Sequence, residues 1–354
     1  MLYAGVDYHK RYSQVHVIDE HGRTRARARL TNEFSALRRF FANLGEPARA
    51  VVEAGWNWGV MYDWLDAIEN VTEVELAHPY RVRAIAAAQV KTDAIDSHTL
   101  AQLLRVNLIP KAYVPGAATR GLRELVRQRI FLVRMRTMVK NRIQALLARH
   151  HVPLPAVSDI FGKRGRDYLS KVRLEGGAQQ LLRQDLGLLT ALNEEIRASE
   201  KWLHQALEGD HRVELLRTIP GLGALLATVV ALEIDRVERF PTAAKLAAYA
   251  GLVPTTHSSG GHTFHGKLMA HSNKWLRWAL VEAAWVAVRL DPYFRAHFAK
   301  RRAHKPAQSA IIATARRLLE VVWHVLKENR PYQDRPPSHC NRGLRTSSAA
   351  FAAA

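Results

Sequence analysis

One cysteine in 354 residues, Cys340, excludes a disulfide framework and any Cys-rich zinc site, and fits a reducing cytosol. Acidic side chains are scarce too: 32 Asp and Glu stand against 52 Lys and Arg, a formal charge of +20. No apolar run is long enough to span a bilayer, the best being Ala224 to Leu232. Nor does Met1 lead into a basic segment followed by a long apolar one, so no secretory signal is expected at this end. The expectation is a soluble intracellular protein. With 48% hydrophobic and 24% charged residues the chain has the composition of folded domains, which excludes disorder of the whole, and its length predicts two or three of them.

A surplus of +20 points to a polyanionic partner, because each Lys or Arg that neutralises a phosphate releases a condensed counterion. A membrane surface is the rival, but it predicts a basic amphipathic helix or a polybasic end, whereas basic residues here recur along most of the chain. Charge that serves only solubility needs no clustering. Clustering is present: between Gly116 and His150 nine basic residues stand against Glu124 alone. Seven of them, Arg120, Arg123, Arg127, Arg134, Arg136, Lys140 and Arg142, are candidate nucleic-acid contacts on a helix predicted from Arg120 to Arg149.

Ahead of that helix the pattern is α/β. Leu2 to Asp7, Gln14 to Asp19 and the strictly alternating Thr24 to Leu30 read as three strands. Asn32 is expected to cap a helix with Phe34, Leu37, Phe41 and Leu44 on one stripe, closed by Gly45. Strands at Ala50 to Val52 and Glu73 to Ala77 alternate with helices at Trp56 to Ile68 and Thr92 to Leu104. The order βββαβαβα is that of the RNase H-like fold. Beyond the basic helix, His151 to Pro155 breaks the chain and Gly162 to Gly165 is expected as a basic loop; Gln179 to Leu207 reads as a second helical arm with leucines at near-heptad spacing. The predicted organisation is α/β plus α. It comprises an RNase H-like domain (1–110), a basic helical and coiled-coil arm (111–215), a mainly helical globular domain (216–328) and a mobile tail (329–354).

Three constellations carry candidate chemistry. Asp7 ends the first strand, Glu53 ends a buried one, and Asp93 and Asp96 are three apart on a helix, so all four carboxylates stand where an RNase H-like sheet gathers them. Clustered carboxylates repel unless a hard cation sits among them, which makes Mg²⁺ or Mn²⁺ the expected occupant. Singly, each acid has an ordinary reading as a surface or helix-start charge, but Glu53 interrupts an apolar strand, a poor place for a merely solvating side chain. In Ile219-Pro220-Gly221-Leu222-Gly223, Gly221 and Gly223 precede an apolar helix and expose backbone N–H groups to phosphate, as in a helix-hairpin-helix element; a plain helix–helix turn is the competing reading. The polar loop Tyr249 to His262 offers Ser258 and Ser259 as nucleophiles, with Lys267, Lys274 and Arg277 downstream to stabilise a pentacovalent phosphate. Its histidines lack the compact spacing of a zinc site.

In their order along the chain, Gly5-Val6-Asp7, Val51-Val52-Glu53-Ala54, Lys91-Thr92-Asp93-Ala94-Ile95-Asp96, Ile219 to Gly223, Gly251-Leu252-Val253-Pro254, Ser258-Ser259-Gly260-Gly261 and Asn273-Lys274-Trp275-Leu276-Arg277 resemble the DEDD transposases of the insertion sequence one-ten family. The resemblance covers Leu2 to Trp285. It implies a RuvC-like domain whose tetrad is Asp7, Glu53, Asp93 and Asp96, and a transposase domain whose serine, Ser259, attacks DNA to form a phosphoserine intermediate. It further implies a structured guide RNA encoded in the element, dimers assembling to a tetramer on element-end and target DNA, and a cytoplasmic, nucleoid-associated setting in a prokaryote. The competing functions are a metal-dependent Holliday-junction resolvase type of endonuclease, in which water attacks, and a non-catalytic nucleic-acid scaffold. The His-rich stretch His262 to His265 and the segment Gly266 to Asn273 depart from the family pattern.

Overall fold

Alternating apolar residues at Leu2, Ala4 and Val6 commit the first segment to a strand with one face in a core, and the rest of the sheet builds on it. A computed structural model describes residues 1–85, 93–259, 262–269 and 271–333, and divides the chain into two compact units, Met1–Pro115 and Gly116–Ala354. Cys340 and most of the expected tail lie outside the described residues.

The first unit is a five-stranded sheet with helices on both faces. Its elements are β1 (Leu2–Tyr8), β2 (Tyr12–Ile18), β3 (Thr24–Thr31), α1 (Phe34–Ala42), β4 (Ala48–Glu53), α2 (Trp58–Asp66), β5 (Val71–Ala77), α3 (Pro79–Ile85) and α4 (Asp93–Arg105). The strand order is β3-β2-β1-β4-β5, antiparallel from β3 to β1 and parallel from β1 to β5. Leu2, Ala4, Val6, Ala48, Ala50 and Val52 pack with Leu37 and Phe41 of α1 and Met61 and Leu65 of α2. Tyr3 and Val51, one step out of phase, join Leu100, Leu103 and Leu104 of α4 on the opposite face. Gly5 lets that helix lie directly on the strand, since a Cβ there would stand 2.0 Å from the Ser97 carbonyl oxygen and 2.7 Å from the Ala101 nitrogen. Two local expectations change. The residue preceding α1 is Glu33, and the Asn32 side chain instead donates to the His9 carbonyl at 2.7 Å; α3, unforeseen, follows β5.

The second unit is mostly helical: α5 (Ala117–Arg149), α6 (Lys163–Lys171), α7 (Gly176–Ala206), α8 (His211–Arg217), α9 (Ala224–Ile234), α10 (Ala243–Tyr249), α11 (Lys274–Leu290), α12 (Pro292–Arg302) and α13 (Ala307–Glu328), with a hairpin of β6 (Pro254–Ser259) and β7 (His262–Leu268). Val139, Ile143, Leu146 and Leu147 of α5 bury against Leu182, Leu189 and Leu192 of α7. Gly162 to Gly165, expected as a loop, forms the cap and first turn of α6. In α9 every residue from Ala227 to Ile234 is buried, and α11 and α13 pack in the same core. Tyr332 is docked rather than loose: its amide donates to Thr218 Oγ1 at 2.8 Å and its hydroxyl to Asp291 Oδ2 at 3.0 Å. Among the described residues no helix is long and apolar enough to cross a membrane.

Candidate functional site

Period two decides which strand residues reach the α4 face. Asp7 follows Tyr3 and Gly5 onto it, and Glu53 follows Val51. Because Val6 pairs with Val52 in parallel register, Asp7 and Glu53 follow side by side, one residue from the end of β1 and at the end of β4. Helix α4 brings Asp93 and Asp96 in its first turn, and the Gly5 contact with Ser97 and Ala101 sets how closely that turn approaches. Ligand atoms of Asp7, Asp93 and His9 lie within 4.8 Å of one another, a metal-capable group among the described residues. Burial pushes the Asp7 carboxyl above its ordinary value; His9 opposes this, while the charges of Asp93 and Asp96 add to it. Tyr12 donates its hydroxyl to Asp93 Oδ2 at 2.8 Å, and that bond, with burial, raises its pKa. Glu53 and Asp96 are half-buried, outside that three-residue group. Lys91 and Thr92 lie outside the described residues. Nearby Glu75, 3% exposed, is a structural acid, held by Arg49 at 2.7 Å and Lys111 at 2.8 Å.

In the second unit Ser258 and Ser259 sit in β6, their backbones in register with Thr263 and His262 of β7, so the expected loop is a hairpin. Gly260 and Gly261 lie outside the described residues. Lys267 is exposed on β7, Lys274 is exposed at the start of α11, and Arg277 is half-buried one turn on. Gly221 and Gly223 have different roles. Gly221, at φ 90°, faces α11, where a Cβ would meet the Ala283 carbonyl oxygen at 2.2 Å; at Gly223, which precedes α9, a Cβ would meet nothing within 4 Å. The helix–helix packing reading thus accounts for Gly221 and leaves Gly223 open to approach.

The basic helix is less free than its charge count implies. Arg123, 12% exposed, bonds the Leu232 and Glu233 carbonyls, and Arg127 bonds Glu233 Oε1 at 2.7 Å; Arg142 bonds the buried Asp185 at 3.0 Å. Arg136 donates to Asn193 Oδ1, and Lys140 stands over the Phe161 ring. Arg120 is half-buried, and Arg134 is exposed with its guanidinium near the Trp275 ring. Arg123 is therefore removed from the expected phosphate-contacting face, and Arg127 and Arg142 spend charge on internal carboxylates.

Two family models match this chain: DEDD_Tnp_IS110, a transposase model, over residues 4–152, and Transposase_20, described as the IS116/IS110/IS902 family, over residues 213–299. The chain belongs to the IS110 family of transposases. A probable family 20 transposase of Pseudomonas aeruginosa is 28% identical over 93% of this chain and 98% of its own length. A pilin gene-inverting protein of Moraxella bovis is 27% identical over 80% of the chain and 82% of its own. An insertion element IS110 protein of 43.6 kDa from Streptomyces coelicolor reaches 34% identity over 42% of the chain and 37% of its own.

This transposase is an enzyme acting on DNA by strand cleavage and transfer. A DEDD domain brings divalent-metal use, and the residues present fit it: the hard carboxylate donors of Asp7 and Asp93 crowd together beside His9, and the charges of Asp93 and Asp96 add to the burial that raises the Asp7 carboxyl, a load that a cation relieves. Sequence reasoning missed His9, Tyr12 and Glu233. Tyr12 and His9 lie near a strand turn where neither period applies. Glu233 had a signal, a lone acid in the apolar run Ala224 to Ile234.

Proposed function

We propose that the chain cuts and joins DNA with a RuvC-like acidic site and a serine nucleophile used together. Asp7, Glu53, Asp93 and Asp96 hold Mg²⁺ or Mn²⁺, which when bound supplies Lewis-acid stabilisation of charge on the reacting phosphate oxygens. Ser259 attacks phosphorus, its hydroxyl proton leaving and the 3′ or 5′ oxygen of the cut strand departing, to give a phosphoserine–DNA ester that a DNA hydroxyl later displaces. The observation that carries this reading is the convergence of Asp7 and Asp93, remote in sequence, on one point. The mixed sheet, three antiparallel strands continued by two parallel ones, supports the RNase H-like assignment. Gly223, Lys267, Lys274 and Arg277 are proposed phosphate contacts, joined on α5 by Arg120, Arg134, Arg136 and Lys140. The charge of +20 supports a second polyanion, the structured guide RNA, and the large apolar side chains that α7 leaves exposed, Leu181, Leu188 and Trp202, support assembly of dimers towards a tetramer.

Denaturing electrophoresis after incubation with element-end DNA, Mg²⁺ or Mn²⁺ and the co-expressed RNA tests the reading. Wild type and Ser258→Ala form a covalent protein–DNA adduct; Ser259→Ala and Asp93→Asn do not. An adduct that survives Ser259→Ala moves the nucleophile elsewhere. Hydrolysed ends without any adduct identify the water-dependent resolvase chemistry instead.

A further inference from the structure

His9, beside the acids, is so far without a function, and its position is fixed from several sides. Its amide donates to the Tyr12 carbonyl at 3.0 Å, and its own carbonyl accepts from Asn32 Nδ2 at 2.7 Å. Asn32 in turn accepts the hydroxyl of the fully buried Ser13 at 2.6 Å, and the His9 and Tyr12 rings stand 4.8 Å apart. This turn therefore holds a ring nitrogen where it meets both strand and helix carboxylates. Nε2 lies 3.1 Å from Asp7 Oδ2 and 3.1 Å from Asp93 Oδ2.

One ring nitrogen carries at most one hydrogen, so it serves one of two carboxylates. Hydrogen-bond geometry is met towards Asp7, while Asp93 Oδ2 takes the Tyr12 hydroxyl. The equal second distance has another explanation. Adjacent ligands of an octahedral cation with bonds near 2.1 Å stand about 3.0 Å apart, which is the spacing these atoms already have.

The geometry points to His9 as a nitrogen ligand of the divalent cation, biasing the site towards Mn²⁺ over Mg²⁺. The inference rests on the metal reading above and goes beyond its four carboxylates. Mg²⁺ takes oxygen donors and gives up water reluctantly, whereas imidazole suits the later, softer ions; one imidazole among carboxylates shifts preference in that direction. Asn32 and Ser13, by fixing the turn, keep the imidazole in place before the cation arrives.

The test uses the full chain and Mn²⁺ alone, without DNA. Electron spin-echo spectroscopy of bound Mn²⁺ in the wild type shows ¹⁴N modulation from a directly bonded imidazole, and His9→Gln, which presents an oxygen at similar reach, abolishes it. By titration, His9→Gln weakens Mn²⁺ binding about tenfold or more while Mg²⁺ affinity changes less than about threefold. Bound Mn²⁺ without nitrogen modulation in the wild type overturns the assignment of His9 and leaves the carboxylate site standing. So does an equal loss of both ions in His9→Gln. Absence of saturable Mn²⁺ binding that Asp7→Asn removes overturns the metal reading itself.

Discussion

Replacing Glu233 with leucine removes a charge that holds together three separate segments of the second unit. The carboxylate is 4% exposed; Oε1 accepts from Arg127 at 2.7 Å, and Oε2 accepts from Asn273 Nδ2 at 2.8 Å with Arg123 Nε at 3.6 Å. Asn273 also caps α11 through Leu276 N at 3.0 Å and donates to the Tyr249 hydroxyl at 3.0 Å. Breaking one side of a buried ion pair costs about 3–5 kcal/mol because the partner stays buried and uncompensated. Arg127 is 38% exposed and can turn towards water, and Arg123 keeps two carbonyl partners, so the lower end, about 3 kcal/mol, applies. For a unit of this size that is a fall in Tm of about 6–12 °C. Thermal and guanidinium unfolding of Glu233→Leu, Arg127→Met and the double variant measure it; the double variant is less destabilised than the two single costs summed, by about 1–2 kcal/mol. A Tm fall below about 3 °C, or additive costs, refutes the claim that this carboxylate carries the buried charge of α5.

Gly5→Ala places a methyl 2.0 Å from the Ser97 carbonyl, so α4 shifts and Asp93 leaves Asp7; Mn²⁺ binding by titration is lost and stability falls by about 1–3 kcal/mol. Arg134→Gln, which removes an exposed cation, makes the salt dependence of DNA binding shallower by about 0.9 in log K against log salt, whereas Arg123→Gln leaves that slope unchanged and lowers Tm. An unchanged slope in Arg134→Gln moves the DNA footprint off this part of α5. Burial, reinforced by Arg301 and Arg317, lowers the pKa of His297 below 6.5, so as pH falls through 6.5 the unfolded chain takes up the proton first and stability declines; above that range the effect is absent. His297→Gln flattens this acid limb of a Tm–pH profile.

The first unit is largely readable in the sequence because its sheet obeys one period. Leu2, Ala4 and Val6 on one face force Gly5 and Asp7 onto the other, and the same count in β4 brings Glu53 to the same face. The helix carrying Asp93 and Asp96 is equally plain from Leu100, Leu103 and Leu104. The hairpin of β6 and β7 has a sequence signal that the loop reading overlooks: β-prone Thr255-Thr256 and Thr263-Phe264 flank a Gly-Gly dipeptide, a composition typical of hairpin turns.

What stayed hidden depends on contacts between distant segments. Asn32 carries a good helix-capping side chain, yet its amide goes to the His9 carbonyl, because β1, β2 and β3 bring the ends of two turns together and a buried Ser13 takes its oxygen. No window around Asn32 contains that competitor. The basic helix shows the same effect on charge. Nine cations and one acid describe a surface only if the acids that answer them are nearby in sequence, and here Glu233 answers from the apolar run of α9 and Asp185 from α7, on the buried stripe with Leu182 and Leu189. A buried acid on an apolar helix face therefore predicts a cation bound to it from elsewhere, and subtracting such pairs from a charge count gives the part of a basic face that remains available to phosphate.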